Sequence, residues 1–368
     1  MADDPLVSSV TATAYRVPTA GPEADGTLSW DATTLVLVHA EAAGETGLGW
    51  TYVDDAAVDV VDDVLAPVVT GRPAADVPAR WVEMQRRVRN LGRPGLVSCA
   101  MSAVDIALWD LAARLSGLPL ARLLGRVHES VPLYASGGFT TYTQAELTEQ
   151  LDGWVHGQGI PRVKIKIGES WGSEVERDLS RVRHSRDVIG PSAALYVDAN
   201  GAYSVGQACR VGSLLTAADV HWFEEPVSSD DLPGLRRVRS AAAADVTAGE
   251  YGYDLAYFTR MVDAEAVDCV QIDVTRCGGV TEWTRIAALA AAHNLEVSAH
   301  CAPNVSAHAA VATPNIRHLE WFADHDRIES AFLDGTLDPA GGTVTPSMST
   351  PGHGMTLRTG TAEKYRVR

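Results

Sequence analysis

RVKIKIGES (residues 162–170) is the stretch that decides the fold. Val163, Ile165 and Ile167 alternate with Lys164 and Lys166, and Gly168 ends the run. Period-two alternation of this kind predicts a β-strand with both lysines on one face. Two ammonium groups on one face repel each other, so something of opposite charge must face them.

The chain around it supplies a repeating context. Short apolar runs recur at VPLYAS (131–136), RVKIKIG (162–168), AALYVDAN (193–200), HWFEE (221–225), DVTAGE (245–250), DCVQID (268–273), EVSAH (296–300) and RHLEW (317–321). Helix-like segments such as VERDLSRVRHSRDVI and TEWTRIAALAAAHN separate them. Eight strand–helix units with strands buried on both faces predict an α/β fold, a (β/α)₈ barrel. In such barrels the chemistry sits at the C-terminal ends of the strands. Here those ends carry Lys164 and Lys166, Asp198 and Asn200, Glu224 and Glu225, Glu250, Asp273, His300 and Glu320.

Residues 1–125 follow a different pattern. TLVLVHAEAAGETGLGW (34–50) predicts two strands joined by a turn at Ala43-Gly44, and 19–31 predicts a polar loop before them. SAVDIALWDLAARLSGLPLARLLG (102–125) carries a helical apolar stripe stopped at Gly117-Leu118-Pro119. The first part is therefore α+β. The barrel is expected over 126–335, with a Gly-, Pro- and Thr-rich segment, 336–368, after it.

Composition narrows the function. A hydrophobic fraction of 46% over 368 residues indicates a large core. The net charge of −17 disfavours nucleic acid and anionic membranes. No apolar run is expected to reach the roughly 18 residues of a membrane span. The N-terminus, MADDPLVSSV, has no signal-like pattern, and five scattered cysteines with no CxxC pair fit a reducing cytoplasm. A small anionic substrate needs a local reversal of the overall charge.

Asp198, Glu224 and Glu250 stand 26 residues apart in turn, one per consecutive unit. Three carboxylates at one mouth need a cation or protons. An all-oxygen set favours a hard ion, Mg²⁺ first. The alternative is that each acid caps a helix or pairs with an arginine. Lys166 is the expected general base, with Lys164 lowering its pKa. Asp273 and His300 form a candidate acid/base dyad. Glu320 either hydrogen-bonds substrate or pairs with Arg317.

With these residues assembled, the chain resembles the enolase superfamily, in its mandelate racemase subgroup. The resemblance rests on residues 102–125, KIK (164–166), DAN (198–200), FEEP (223–226), GE (249–250), Asp273 and His300. It implies a modified TIM barrel under an α+β N-terminal capping domain that the C-terminal tail completes. It also implies one Mg²⁺ on Asp198, Glu224 and Glu250, with Lys166 as base on one substrate face and His300–Asp273 on the other. Glu320 would then hydrogen-bond the substrate carboxylate, and loops near Ala20–Asp31 and Trp50–Asp55 would close over the pocket.

The implied shared step is removal of a proton α to a carboxylate. A divalent cation about 4 Å from the developing charge, at an effective dielectric near 20, contributes about 8 kcal/mol. Dehydration of a sugar acid is the favoured outcome. Racemisation or epimerisation is the alternative, then cycloisomerisation, whose branch places a second lysine where His300 stands, then a non-catalytic relative. Further candidate substrate contacts are Tyr134, Ser136, Asn200, Arg276 and Trp30. Trp30 and the scarcity of cations in the cap loop favour a monocarboxylate. Relatives of this kind commonly form homo-oligomers. Cys301, after the dyad histidine, and PGHG (351–354) carry no assigned role.

Overall fold

The computed structural model describes residues 4–368. All eight expected barrel strands are present. They are β4 (Val131–Gly137), β5 (Arg162–Lys166), β6 (Ala194–Asp198), β7 (Val220–Glu224), β8 (Asp245–Ala248), β9 (Cys269–Ile272), β10 (Glu296–Ala299) and β11 (Ile316–Phe322). Neighbours pair in parallel, and β11 pairs with β4 to close the ring. Helices cover the outside, which is why the strands read as apolar on both faces.

The barrel is not a pore. Tyr134, Tyr196, Trp222 and Cys269 fill its interior as a separate buried cluster, with His318 against the rings. Burial holds the His318 imidazole neutral, well below its usual range. The aromatic plug closes the N-terminal end and leaves the polar strand ends at the other mouth.

The cap is a three-stranded antiparallel meander, preceding the barrel in the chain: β1 (Ser9–Ala24), β2 (Ser29–Ala42) and β3 (Glu45–Tyr52). The turn between β2 and β3 is at Ala43-Gly44 as expected, both residues having positive φ. The segment 19–31, expected as a loop, is mostly strand. Pro18, Gly21 and Pro22 signal a loop locally, but a register shift between Pro18 and Glu23 absorbs them and pairing with β2 resumes at Glu23.

Helix Leu96–Leu115 lies across the meander. A Cβ on Gly49 would lie 2.1 Å from Ala103 O, so glycine sets this close approach. Contrary to the sequence expectation, this helix is long and apolar enough to cross a membrane, with a mean hydropathy of 1.6. Yet 89% of that window is buried inside the protein, and its two acids are used internally. Asp105 takes hydrogen bonds from Thr281 N and Oγ1. Asp110 takes them from Leu48 N, Arg114 Nε and His353 N. PGHG thus has a structural use: it docks the C-terminal segment on the cap helix. A Cβ on Gly352 would lie 2.1 Å from Asp110 Oδ1.

Glu329 joins cap to barrel. Trp50 Nε1 and Tyr52 Oη donate to its Oε1, each at 3.0 Å, and Asn304 donates to Oε2 from Nδ2 at 2.6 Å and from N at 3.3 Å. Replacing it by leucine leaves these donors buried and unpaired. Glu329→Leu is expected to cost about 3 kcal/mol or more, read as a lowered urea midpoint at unchanged slope. Wild-type stability in this variant would remove Glu329 as the junction.

Candidate active site and metal centre

The ends of β5–β8 and β9–β11 converge in one buried cluster. Lys164 is its centre and has no exposure to solvent. Its Nζ pairs with Glu224 Oε1, with Glu320 Oε1 at 2.8 Å and with Asp198 Oδ2 at 3.6 Å. Burial opposes charge on this lysine, but the three carboxylates outweigh it and hold the ammonium well above the usual range. Glu320 therefore faces Lys164. Arg317, its expected alternative partner, pairs instead with Asp245 at 2.6 Å and Glu296 at 2.7 Å.

Lys166 Nζ lies 2.5 Å from Asp198 Oδ2 and 5.9 Å from the Phe322 ring centre. Lys164 lowers the Lys166 pKa as expected, but the net direction without the ion is upward. Burial and Lys164 both push it down, but Asp198, Glu250 and Glu320 push it up further.

Asp198, Glu224 and Glu250 are buried, and one carboxylate oxygen from each lies within 4.8 Å of the others. Their electrostatics call for a cation. Burial pushes Glu224 up to about 7, with Asp198 and Glu320 adding to it against Lys164. Glu250 Oε2 is buried, with only the His300 ring beside it at 3.1 Å. Six buried carboxylates (Asp198, Glu224, Glu225, Glu250, Asp273, Glu320) face Lys164, Lys166, Arg276 and the His300 ring. Burial and the neighbouring acids also raise Glu225 well above its usual range, so holding all six ionised beside a charged ring, two negative charges in excess, calls for a divalent ion. All-oxygen donors suit a hard cation.

Asp273 and His300 meet as expected, with Nδ1 2.7 Å from Asp273 Oδ2. Asp273 Oδ1 takes hydrogen bonds from Thr275 N and Oγ1, each at 2.7 Å, so the carboxylate is fixed in turn. His300 Nε2 lies 3.1 Å from Glu250 Oε2. Burial disfavours the imidazolium, but Cys301, Glu250, Glu320 and the Asp273 hydrogen bond outweigh it and raise His300 well above the usual range.

The remaining candidates separate. Arg276 bridges Glu250 Oε1 (3.3 Å) and Asp273 Oδ2 (3.4 Å), tying the carboxylate cluster to the His300–Asp273 pair. Asn200 donates its N–H to Asp198 Oδ1 at 2.9 Å, and its own Oδ1 is unpartnered. With Glu225, Thr27, Trp171, Tyr251 and Tyr257 it lines a cavity of about 540 Å³ at the same mouth. Ser136 is buried on β4 beside Lys164, its Oγ unpartnered. Trp30 donates to Glu23 and packs edge-on against Phe139 at 5.6 Å. Tyr134 is corrected: it sits in the interior plug, 5.2 Å beneath Lys164 Nζ, and supports the lysine from below.

Two groups were not given roles by sequence reasoning. Glu225 takes a positive φ of 37°, is buried and keeps Oε1 unpartnered beside the metal cluster. Cys301 also has a positive φ, of 48°, and its Sγ lies 3.2 Å from His300 Nε2. The doubled acid of FEEP was the signal for the first; nothing local marks the second. Lys166 and His300 are only 5% and 4% exposed, so the cluster is shut off from bulk solvent.

Comparison with known proteins agrees with this architecture. Residues 8–125 match the mandelate racemase/muconate lactonizing enzyme N-terminal domain, and 146–361 match the enolase C-terminal domain-like family. A 3,6-anhydro-α-L-galactonate cycloisomerase of Streptomyces coelicolor is 31% identical over 96% of this chain and 97% of its own. A mandelate racemase/muconate lactonizing enzyme-like protein from Rubrobacter xylanophilus superposes with a TM-score of 0.95 at 47% identity, over 99% of this chain and 100% of that one. The L-talarate/galactarate dehydratase of Salmonella typhimurium, liganded with Mg and L-lyxarohydroxamate, superposes at 0.90 with 25% identity over 100% and 94%. The chain belongs to the mandelate racemase/muconate lactonizing enzyme family of the enolase superfamily.

Proposed function

We propose that this protein is a Mg²⁺-dependent acid-sugar dehydratase that removes the proton α to a carboxylate. The observation that carries the reading is the placement of Lys166 and His300–Asp273 at the two ends of an arc formed by Asp198, Glu224 and Glu250. The three carboxylates would hold the ion. When bound, Mg²⁺ supplies charge stabilisation to the substrate carboxylate and screens Asp198 from Lys166.

The chain's own groups move the protons. With Asp198 committed to the ion, Lys166 loses the partner that holds it as an ammonium; as the neutral amine its Nζ takes the α-proton, and separation from bulk water keeps that proton in the site. His300, raised in pKa and held through Nδ1 by Asp273, donates from Nε2 to the β-hydroxyl, which leaves as water. Tautomerisation of the resulting enol gives a 2-keto-3-deoxy acid. Lys164 keeps Glu224 and Glu320 in place and is not the base. Trp30, Phe139 and Phe322 present aromatic side chains, and Arg181 beside them is spent on the Gly138 and Phe139 carbonyls, which supports a monocarboxylate substrate.

A second reading has specific support, because a relative matching nearly the whole chain is a cycloisomerase of a 3,6-anhydro acid. In such an acid the oxygen on the β-carbon belongs to a ring. The same two proton transfers then open the ring without losing water, and the product is an isomer. The two readings share Lys166 and His300 and differ in the leaving oxygen.

Proton exchange in D₂O separates these readings over a library of linear and anhydro sugar acids. Lys166→Ala or His300→Asn is expected to lower turnover by about 10²–10⁴-fold. Wild-type exchange of the α-proton in both variants would exclude the assignment. Mg²⁺ at 100 times its Kd is expected to stabilise the fold by about 2.7 kcal/mol, seen as a raised Tm. Glu250→Gln should lose that increment, and an equal increment in the variant would place the ion elsewhere.

A further inference from the structure

His300, Cys301 and Glu320 bring a nitrogen, a sulfur and an oxygen together beside the carboxylate cluster. Sγ to Nε2 is 3.2 Å, Sγ to Glu320 Oε2 is 3.4 Å, and Nε2 to Oε2 is 3.6 Å. Zinc bonds of about 2.3 Å to sulfur and about 2.0–2.2 Å to nitrogen and oxygen, at tetrahedral angles, put sulfur about 3.5–3.7 Å from the other ligand atoms and nitrogen about 3.3–3.6 Å from oxygen. The Nε2–Oε2 separation matches its edge of such a tetrahedron, and the two Sγ separations fall short of theirs by a few tenths of an ångström, which a small rotation of the thiol makes up.

The surrounding contacts are also those of a metal site. His300 Nδ1 is held by Asp273, so Nε2 is the ligand atom; it also faces Glu250 Oε2 at 3.1 Å, a contact the captured ion would replace. A carboxylate behind a ligating imidazole is the usual orienting arrangement. Glu320 divides its oxygens: Oε1 stays on Lys164 at 2.8 Å while Oε2 faces the thiol and ring and takes the Cys301 N–H at 3.1 Å. A metal can take Oε2 without breaking the Lys164 pair. The left-handed backbone at Cys301 and Ala302, φ 48° and 41°, turns the thiol toward this face.

We propose that His300, Cys301 and Glu320 form a second metal site, specific for thiophilic divalent ions of the zinc and cadmium class. It differs in kind from the all-oxygen set a short distance away. Soft ions choose thiolate and imidazole, hard ions choose carboxylate. Capture forms bonds from the ion to Sγ, Nε2 and Oε2 and leaves one corner for a water. The thiol proton, and the Nε2 proton where present, pass to solvent, and no electron moves. One thiolate, one carboxylate and a neutral ring cancel the charge of the ion. The ion removes Nε2 from proton transfer, so activity stops while Mg²⁺ remains bound. That inhibition rests on the proposed role of His300; the metal capture does not.

The probe is Cd²⁺, titrated into Mg²⁺-saturated protein. Absorbance follows the ultraviolet thiolate-to-metal band, and α-proton exchange is measured in parallel. The expected result is a band saturating at about one equivalent, with activity lost in step. Cys301→Ser should lose the band and need at least tenfold more Cd²⁺ for half-inhibition of its own activity. Cadmium NMR of the unmodified protein distinguishes one-sulfur from all-oxygen coordination and needs no variant. A band that persists in Cys301→Ser, an all-oxygen cadmium signal, or inhibition reversed by excess Mg²⁺ would each overturn the site. A full band with undiminished turnover would leave the site standing and remove His300 from the reaction.

Discussion

An ammonium group with no access to water sits in the middle of this barrel, and it must be paired. Lys164 meets Glu224, Glu320 and Asp198 from strands on both sides of its own. Breaking a buried pair of this kind costs about 3–5 kcal/mol. An exposed pair such as Arg16–Asp31 contributes about 0–1 kcal/mol. The buried network therefore dictates where three functional carboxylates stand. One lysine sets the position of two metal-ligand candidates and of the acid nearest Cys301.

The rest of the site follows from that constraint. With Lys164 occupied, Lys166 is left to Asp198 and faces the chamber. With Glu320 Oε1 occupied, Oε2 is left to Cys301 and His300. The excess of negative charge that remains is a reason for a cation. The structure thus holds two donor sets of opposite softness side by side, one of carboxylates and one of nitrogen, sulfur and oxygen. The cap closes above them through Glu329, whose four donors come from both β3 and the barrel.

Much of this was legible in the chain. The apolar runs marked every barrel strand, because a strand buried on both faces has few other ways to be written. The spacing of Asp198, Glu224 and Glu250 located one acid per unit, because each unit returns the chain to the same mouth. Other features were hidden where pairing overrides local preference. Pro18 and Pro22 masked β1, since a strand's partner is not visible in its own residues. The apolar length of helix Leu96–Leu115 was underestimated because Asp105 and Asp110 interrupt it; both are satisfied by distant donors.

The sequence by itself determined which groups end the strands and in what order, since strand periodicity and unit length are local properties. Tertiary structure decided which of them touch. Tyr134 went to the interior plug and Glu320 to Lys164 once β11 closed on β4. Lys166 became a charged partner of Asp198 because its carboxylate neighbours come from other strands. Charge state and ligand geometry depend on distances of a few ångströms between residues far apart in the chain, and only barrel closure sets those distances.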